Sequence, residues 1–339
     1  MSFIDRSPLL AGLNYAKGQV LNRLNLRGHL SGSTGLSMSV EDAAAYAHRV
    51  VADYITYGAA GDAERLKGKD VLEIGPGDNL GVALILLAKG ARTLTCIDGF
   101  APSSDANHNS HIYATIYNSL TAEEQERVSD VVTLQSDGTA IVGGDRLRSR
   151  YGVPMDADTS PLESRSYDIV VSRAVLEHLG NLEVGWKNMV QCLRLDGEMW
   201  HKVDFRCHNL FGQIHPLYFL TIPDVIWNLI SRPDPTLNRL RTPTYREFAA
   251  RDFLESRCYL THLAGQNEIM PHVQSLVSGT HYSQPHLDEI QAIRPKLQKP
   301  FSDYSDEDLL VTGIFLAVSG VRRQQPSDKF NDNPSDVGK

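Results

Sequence analysis

Asp70-Val71-Leu72-Glu73-Ile74-Gly75-Pro76-Gly77-Asp78-Asn79-Leu80-Gly81 reads as a short apolar strand, a glycine turn and a helix start. Val82–Ala88 continues as the apolar first turns of that helix. A strand that passes through a tight glycine turn into a helix N-terminus receives nucleotide-like ligands. Gly75 and Gly77 admit backbone angles and a close approach that a Cβ would block.

Downstream segments repeat the alternation. Arg92–Ile97 reads as a second strand ending on Asp98-Gly99. A carboxylate at that strand tip lies beside the glycine loop and can accept bonds from both ribose hydroxyls; a helix-capping aspartate is the alternative. Val131–Gln135 reads as a third strand, ending in Ser136-Asp137-Gly138, where Asp137 is either an adenine-side acceptor or a turn aspartate. Residues 143–166 are polar, broken by Gly and Pro, and read as a loop. Tyr167–Ser172 is a fourth strand running into Arg173, and Glu198–Asp204 a fifth, with a helix at 182–193 between them. Strands alternating with helices at this spacing predict a doubly wound, mostly parallel α/β sheet. Ligands in such sheets lie outside the carboxyl ends of the strands, so Glu73, Asp98, Asp137, Ser172 and Asp204 are expected at one edge.

The flanks are less regular. Residues 1–66 read as an N-terminal helical segment. In it, leucines and basic residues over 8–27 suit either packing or weak peripheral contact with a membrane. Ser39 is a good N-cap for a helix over 40–57 that Gly58 ends, expected to cover the sheet or line the pocket. Residues 205–243 break the alternation with an aromatic, histidine-bearing insertion that suits a substrate cap. A second cap insertion is expected over about 264–306. A sixth strand is expected at 257–262, a last one at 309–318, and a disordered tail over 323–339. The main domain would span 67–322.

The chain has 339 residues and a net charge of −8, so nothing in its overall charge points to nucleic acid as a partner. Cys96, Cys192, Cys207 and Cys258 are scattered and read as reduced thiols rather than a disulfide scaffold or zinc ribbon. No ligand spacing points to a metal. No apolar run is long enough to span a bilayer, and no signal pattern opens the chain, so a cytoplasmic protein is expected.

Together these motifs resemble a class I methyltransferase dependent on S-adenosylmethionine (SAM). Val71–Gly77 resembles that family's first motif, Ile97-Asp98 its ribose-binding acid, and Ser136-Asp137-Gly138 its adenine-side motif. Tyr167–Ser172 with Leu176-Glu177-His178-Leu179 resembles its fourth-strand segment. Leu193–Glu198 stands where the family has Leu-Lys-Pro-Gly-Gly, with Leu195 and Asp196 replacing the Pro and the first Gly. The resemblance implies a Rossmann-like, seven-stranded sheet. It also implies a SAM site made by Glu73, Gly75, Pro76, Gly77, Asn79, Asp98, Gly99, Asp137, Gly138, Ser172 and Arg173. Nicotinamide cofactors are the rival. Their G-x-G-x-x-G fingerprint would need a glycine at Leu80, and Glu73 suits the methionine ammonium better than a pyrophosphate.

The resemblance says little about the methyl acceptor. Trp200–His208 loosely resembles methyltransferases of glycan biosynthesis, which favours a sugar or glycan-precursor hydroxyl as acceptor. A natural-product hydroxyl or amine is the alternative. A proton acceptor near neutral pKa is then expected from His178 or His208, with Asp204 orienting. A SAM-binding partner protein without turnover, and an NAD-dependent oxidoreductase, stay open.

Overall fold

The computed structural model describes residues 38–102, 105–206, 215–230, 237–266 and 268–322. The segment 8–27, His208 and the tail lie outside the described residues. Helix α1 (Val40–Asp53) is N-capped by Ser39, as expected, and continues into a π-helical turn, Tyr54–Gly58. Strand β1 (Asp70–Ile74) leads through the glycine loop into α2 (Gly81–Ala88), which is buried on all sides but one. Then come β2 (Thr93–Asp98), α3 (Ala106–Ser119) and α4 (Ala122–Arg127). A capping box of Thr121 and Glu124 opens α4.

Next are the short strands β3 (Val132–Leu134) and β4 (Ala140–Val142), then β5 (Leu147–Tyr151), β6 (Tyr167–Arg173), α5 (Leu182–Cys192) and β7 (Leu193–Asp204). The C-terminal part adds α6 (Asp224–Ile230), α7 (Thr242–Asp252), β8 (Phe253–Leu263), β9 (Glu268–Val273), α8 (Gln284–Ile293), α9 (Asp306–Leu310) and β10 (Val311–Val321).

The main sheet runs β5-β2-β1-β6-β7-β10-β8-β9. The neighbours from β5 to β7 are parallel, β10 runs antiparallel between β7 and β8, and β9 is antiparallel to β8. This is the doubly wound, mostly parallel architecture expected, with eight strands instead of seven. The eighth, β9, lies inside the 264–306 segment read as a cap.

A second correction concerns the third parallel position. Val132–Leu134 pairs only with β4, in a separate hairpin. The strand beside β2 is β5, within the stretch read as loop. Along β5 only Leu147 is buried, so this edge strand carries almost no apolar alternation.

Side chains of the sheet alternate between two cores. Val71, Cys96, Val171 and Trp200 face α1, α2 and α3. Leu72, Val170, Met199 and Val203 face α5, α7 and the insertion, whose Phe219, Leu220, Ile222 and Trp227 are buried there. Among the described residues no helix is long and apolar enough to cross a membrane.

Candidate active site at the carboxyl edge of the sheet

Strands β2, β1, β6 and β7 end side by side. Their tips bring Asp98, Glu73, Ser172 with Arg173, and Asp204 to one edge. Asp137 and Gly138 lie outside the main sheet. They form the tight turn between β3 and β4, where the Asp137 carboxylate accepts bonds from the Thr139 N–H and hydroxyl at 3.0 and 2.7 Å. Asp137 thus holds this turn, and β5 rather than β3 stands beside β2. Val153, just beyond β5, donates its N–H to the Asp98 carbonyl at 2.9 Å.

The loop after β1 is shaped by two positive backbone angles, φ +72° at Gly75 and +74° at Gly77. A Cβ on Gly75 would lie 2.4 Å from Cγ2 of Val175, so the loop packs against the chain after β6 with no room for a side chain. Pro76 stands between the two glycines. Asn79 stands before the start of α2, and its side-chain oxygen accepts the Gly81 N–H at 2.9 Å.

Asp98 accepts the Phe100 N–H at 2.9 Å and also a bond from the Gly77 backbone, which ties the strand tip to the glycine loop. Burial raises its pKa above the ordinary carboxylate value, with the nearby Asp78 adding to the effect. Gly99 turns the chain against Pro154. Glu73 is buried, and enclosure pushes its pKa up to about 7 although the Cys96 thiol donates to it at 3.5 Å. Two glycines at positive φ, a strand-tip acid within reach of solvent and an enclosed carboxyl below the loop fit a nucleoside with a cationic tail.

Other expected site residues have different surroundings. Ser172 is fully buried, its hydroxyl 2.7 Å from Nδ1 of His201 across the β6–β7 pair. His201 is a packed strand residue, and burial drives its pKa down to about 3. Arg173 donates to Asp53 at 2.7 Å and lies over the Tyr46 ring, so α1 roofs this edge. His178 is exposed at the end of a 3-10 turn, Leu176–His178. Asp204 receives a two-pronged contact from the Arg206 guanidinium, at 2.9 and 2.6 Å on its two oxygens, and donates its N–H to Glu177 at 3.2 Å.

The structure adds residues that sequence reasoning missed. Lys202 bonds to Asp53, Glu268 and His272, and His262 lies nearby. Burial, with the Arg206 charge next, lowers His262 to about 4, so it is neutral at physiological pH. One signal was available. A lysine inside the buried run Met199–Val203 requires partners. Asp53, Glu268 and His272 bring ligand-type atoms within 4.8 Å of one another, but the Lys202 ammonium already bonds to all three.

Residues 72–200 match the family model of the methyltransferase domain. No curated protein matches the chain. Among solved structures, similarity extends to a chain from the complex of the Haloferax volcanii Trm112 methyltransferase activator. That match has 13% identity and a TM-score of 0.40, covering 85% of this chain and 98% of that one. Haemonchus contortus phosphoethanolamine N-methyltransferase 2 with bound SAM matches at 13% identity and a TM-score of 0.38, over 78% of this chain and 52% of that one. The sheet order, the glycine loop that opens it and the family match over 72–200 agree: the chain carries a methyltransferase domain of the class I fold.

Proposed function

We propose that the protein moves the methyl group of SAM to a hydroxyl or amine of a small molecule. The observation that carries this reading is the roof over β7. The insertion that starts after Asp204 buries Phe219, Leu220, Ile222 and Trp227 in the same core as the strand, instead of standing off it as an open cleft. Its return limb is tied down at Asn238. The backbone N–H of that residue donates to the Glu177 carbonyl at 2.8 Å and its side chain to the Leu176 carbonyl at 2.7 Å. An enclosed acceptor side suits a small molecule, and the net charge of −8 runs against a nucleic-acid substrate. A sugar or glycan-precursor hydroxyl is the favoured acceptor, on the resemblance of Trp200–His208 alone. A natural-product hydroxyl or amine is the second choice.

SAM supplies an activated methyl. The protein's part is to align the acceptor behind it, exclude water and take a proton. Glu73 and the Gly75–Gly77 loop hold the methionine end in this reading, and Asp98 the ribose. His178 and His208 are the proton acceptors proposed from the sequence. The test is S-adenosylhomocysteine formation with panels of sugars, hydroxylated natural products and amines. Alanine at the true base lowers turnover by about 10²–10⁴ while SAM affinity is kept. Binding of SAM without turnover on any small acceptor would instead make the protein a SAM-dependent partner, and methylation of RNA or protein alone would overturn the small-molecule reading.

A further inference from the structure

Helix α1 runs along the roof of the cofactor loop. Ala47 approaches Gly81 so closely that a Cβ there would sit 3.3 Å from its own. Tyr46 lies beneath the Arg173 guanidinium, 5.3 Å from it. Tyr54 is buried, and Glu73 is among the charges felt by its hydroxyl. At Asp53 the helix changes to a π turn, with the Ala59 N–H bonded to the Tyr54 carbonyl at 2.9 Å. Such turns cost helix geometry and concentrate at functional sites.

Three strands hold this turn from below. The buried Lys202 ammonium of β7 uses its donors on Asp53 at 2.8 Å, on Glu268 and on Nε2 of His272 at 3.3 Å. Nδ1 of His272 is 2.7 Å from the Ile269 carbonyl, to which it donates, so Nε2 is free to accept. The His272 ring stacks on Tyr57 at 4.3 Å, and the His272 backbone N–H donates to the Tyr57 hydroxyl at 3.0 Å. Arg257 of β8 donates to the Gly58 carbonyl at 2.7 Å. A Cβ on Gly58 would lie 2.5 Å from the Trp200 ring. Two of these anchors, Glu268 and His272, come from β9, the strand added beyond the expected seven.

We propose that Lys202 is a positioning residue for the methyl transfer: through Asp53, Glu268 and His272 it locks the π turn of α1 over the carboxyl edge and so holds the wall against which the methionine end of SAM is placed. This rests on the cofactor reading above. Lys202 does not touch the reacting atoms in this account; it acts through α1.

The test compares wild type with Lys202→Met and Lys202→Arg by hydrogen exchange and by SAM titration calorimetry on folded protein. Lys202→Met leaves Glu268 without its cation and Asp53 with Arg173 alone. It should speed exchange over residues 53–61 while β1 and β2 stay protected, and weaken SAM about tenfold, the size of one charged hydrogen bond. Lys202→Arg should restore most of both. SAM should slow exchange of 53–61 in the wild type. Should Lys202→Met fail to fold, Glu268→Gln removes one partner at the exposed side and is expected to give a smaller loss of the same kind. Unchanged SAM affinity in a folded Lys202→Met protein, or a loosening spread over the whole sheet, would overturn the proposal. Wild type that fails to bind SAM would refute the cofactor reading instead, while the exchange comparison still reports on the clamp.

Discussion

Glu73 ends β1 enclosed by other side chains, with its pKa lifted from 4.5 to about 7 by burial. Because the folded value is above the unfolded one, the free protein is favoured at low pH and loses that contribution as pH rises from about 4.5 through 7. A cationic ligand beside the carboxyl reverses the preference and expels the proton. SAM should therefore bind about fivefold more tightly at pH 7 than at pH 6, with proton release seen by calorimetry in buffers of different ionisation enthalpy. Glu73→Gln should abolish that pH dependence; a pH-independent affinity in the wild type would remove Glu73 from the site.

Glu73 and Asp98 were legible because strand-tip acids flank a glycine turn at a fixed spacing. Ser172 was legible only as a strand-end residue, because its pairing with His201 depends on β6–β7 register. Three residues of the segment that resembles glycan enzymes are tied into the fold. Trp200 bonds to Glu198, His201 to Ser172 and Lys202 to Asp53, so these residues serve the sheet before any acceptor.

At the scale of elements, the missed pieces share a physical cause. Helix α3 is rich in Asn, Ser and His. It exists because Asp105 caps it and because Ile112, Tyr113 and Ile116 bury one face. β5 is an edge strand of polar residues held by backbone pairing with β2. The β3–β4 hairpin has the stronger strand composition, which drew the sequence reading to the wrong place. Asp137→Ala is expected to leave SAM affinity within about twofold and to cost at most about 1 kcal/mol at a local turn. A large loss of affinity would return the hairpin to the site. Gly58→Ala is expected to destabilise by about 1–3 kcal/mol, since its Cβ must displace the buried Trp200 ring, and denaturant unfolding reads this directly.

Across the whole molecule, two ionic clusters sit at opposite ends of the sheet. At the amino edge, Asp70 takes Arg92, Arg194 and Thr93, while its own N–H donates to Asp168 at 2.8 Å. Burial works against ionisation of Asp70, but the bonds from Arg92, Thr93 and Arg194 outweigh it and hold the pKa at about 2. A depressed carboxylate stabilises above its unfolded pKa and loses that contribution as pH falls through the folded one. Asp70→Asn should thus cost about 1–2 kcal/mol near neutrality, discounted for the exposed Arg92, with the difference closing between pH 4 and pH 2. The carboxyl edge carries the Lys202 cluster, and there the polar groups serve the site. The fold class was readable from the order of strands and turns. The anchoring of α1 was not, because Asp53, Lys202 and His272 are far apart in the chain and meet only in the tertiary structure.

The central claim is that the loop after β1 and the acid at the tip of β2 hold SAM. Calorimetric titration of wild type and Asp98→Ala with SAM and with NADH tests it most directly. The account predicts that SAM binds the wild type and NADH does not, and that Asp98→Ala weakens SAM by about 1.5–3 kcal/mol through loss of a charged acceptor. Tight NADH binding without SAM binding, or an unchanged SAM affinity in Asp98→Ala, would contradict it.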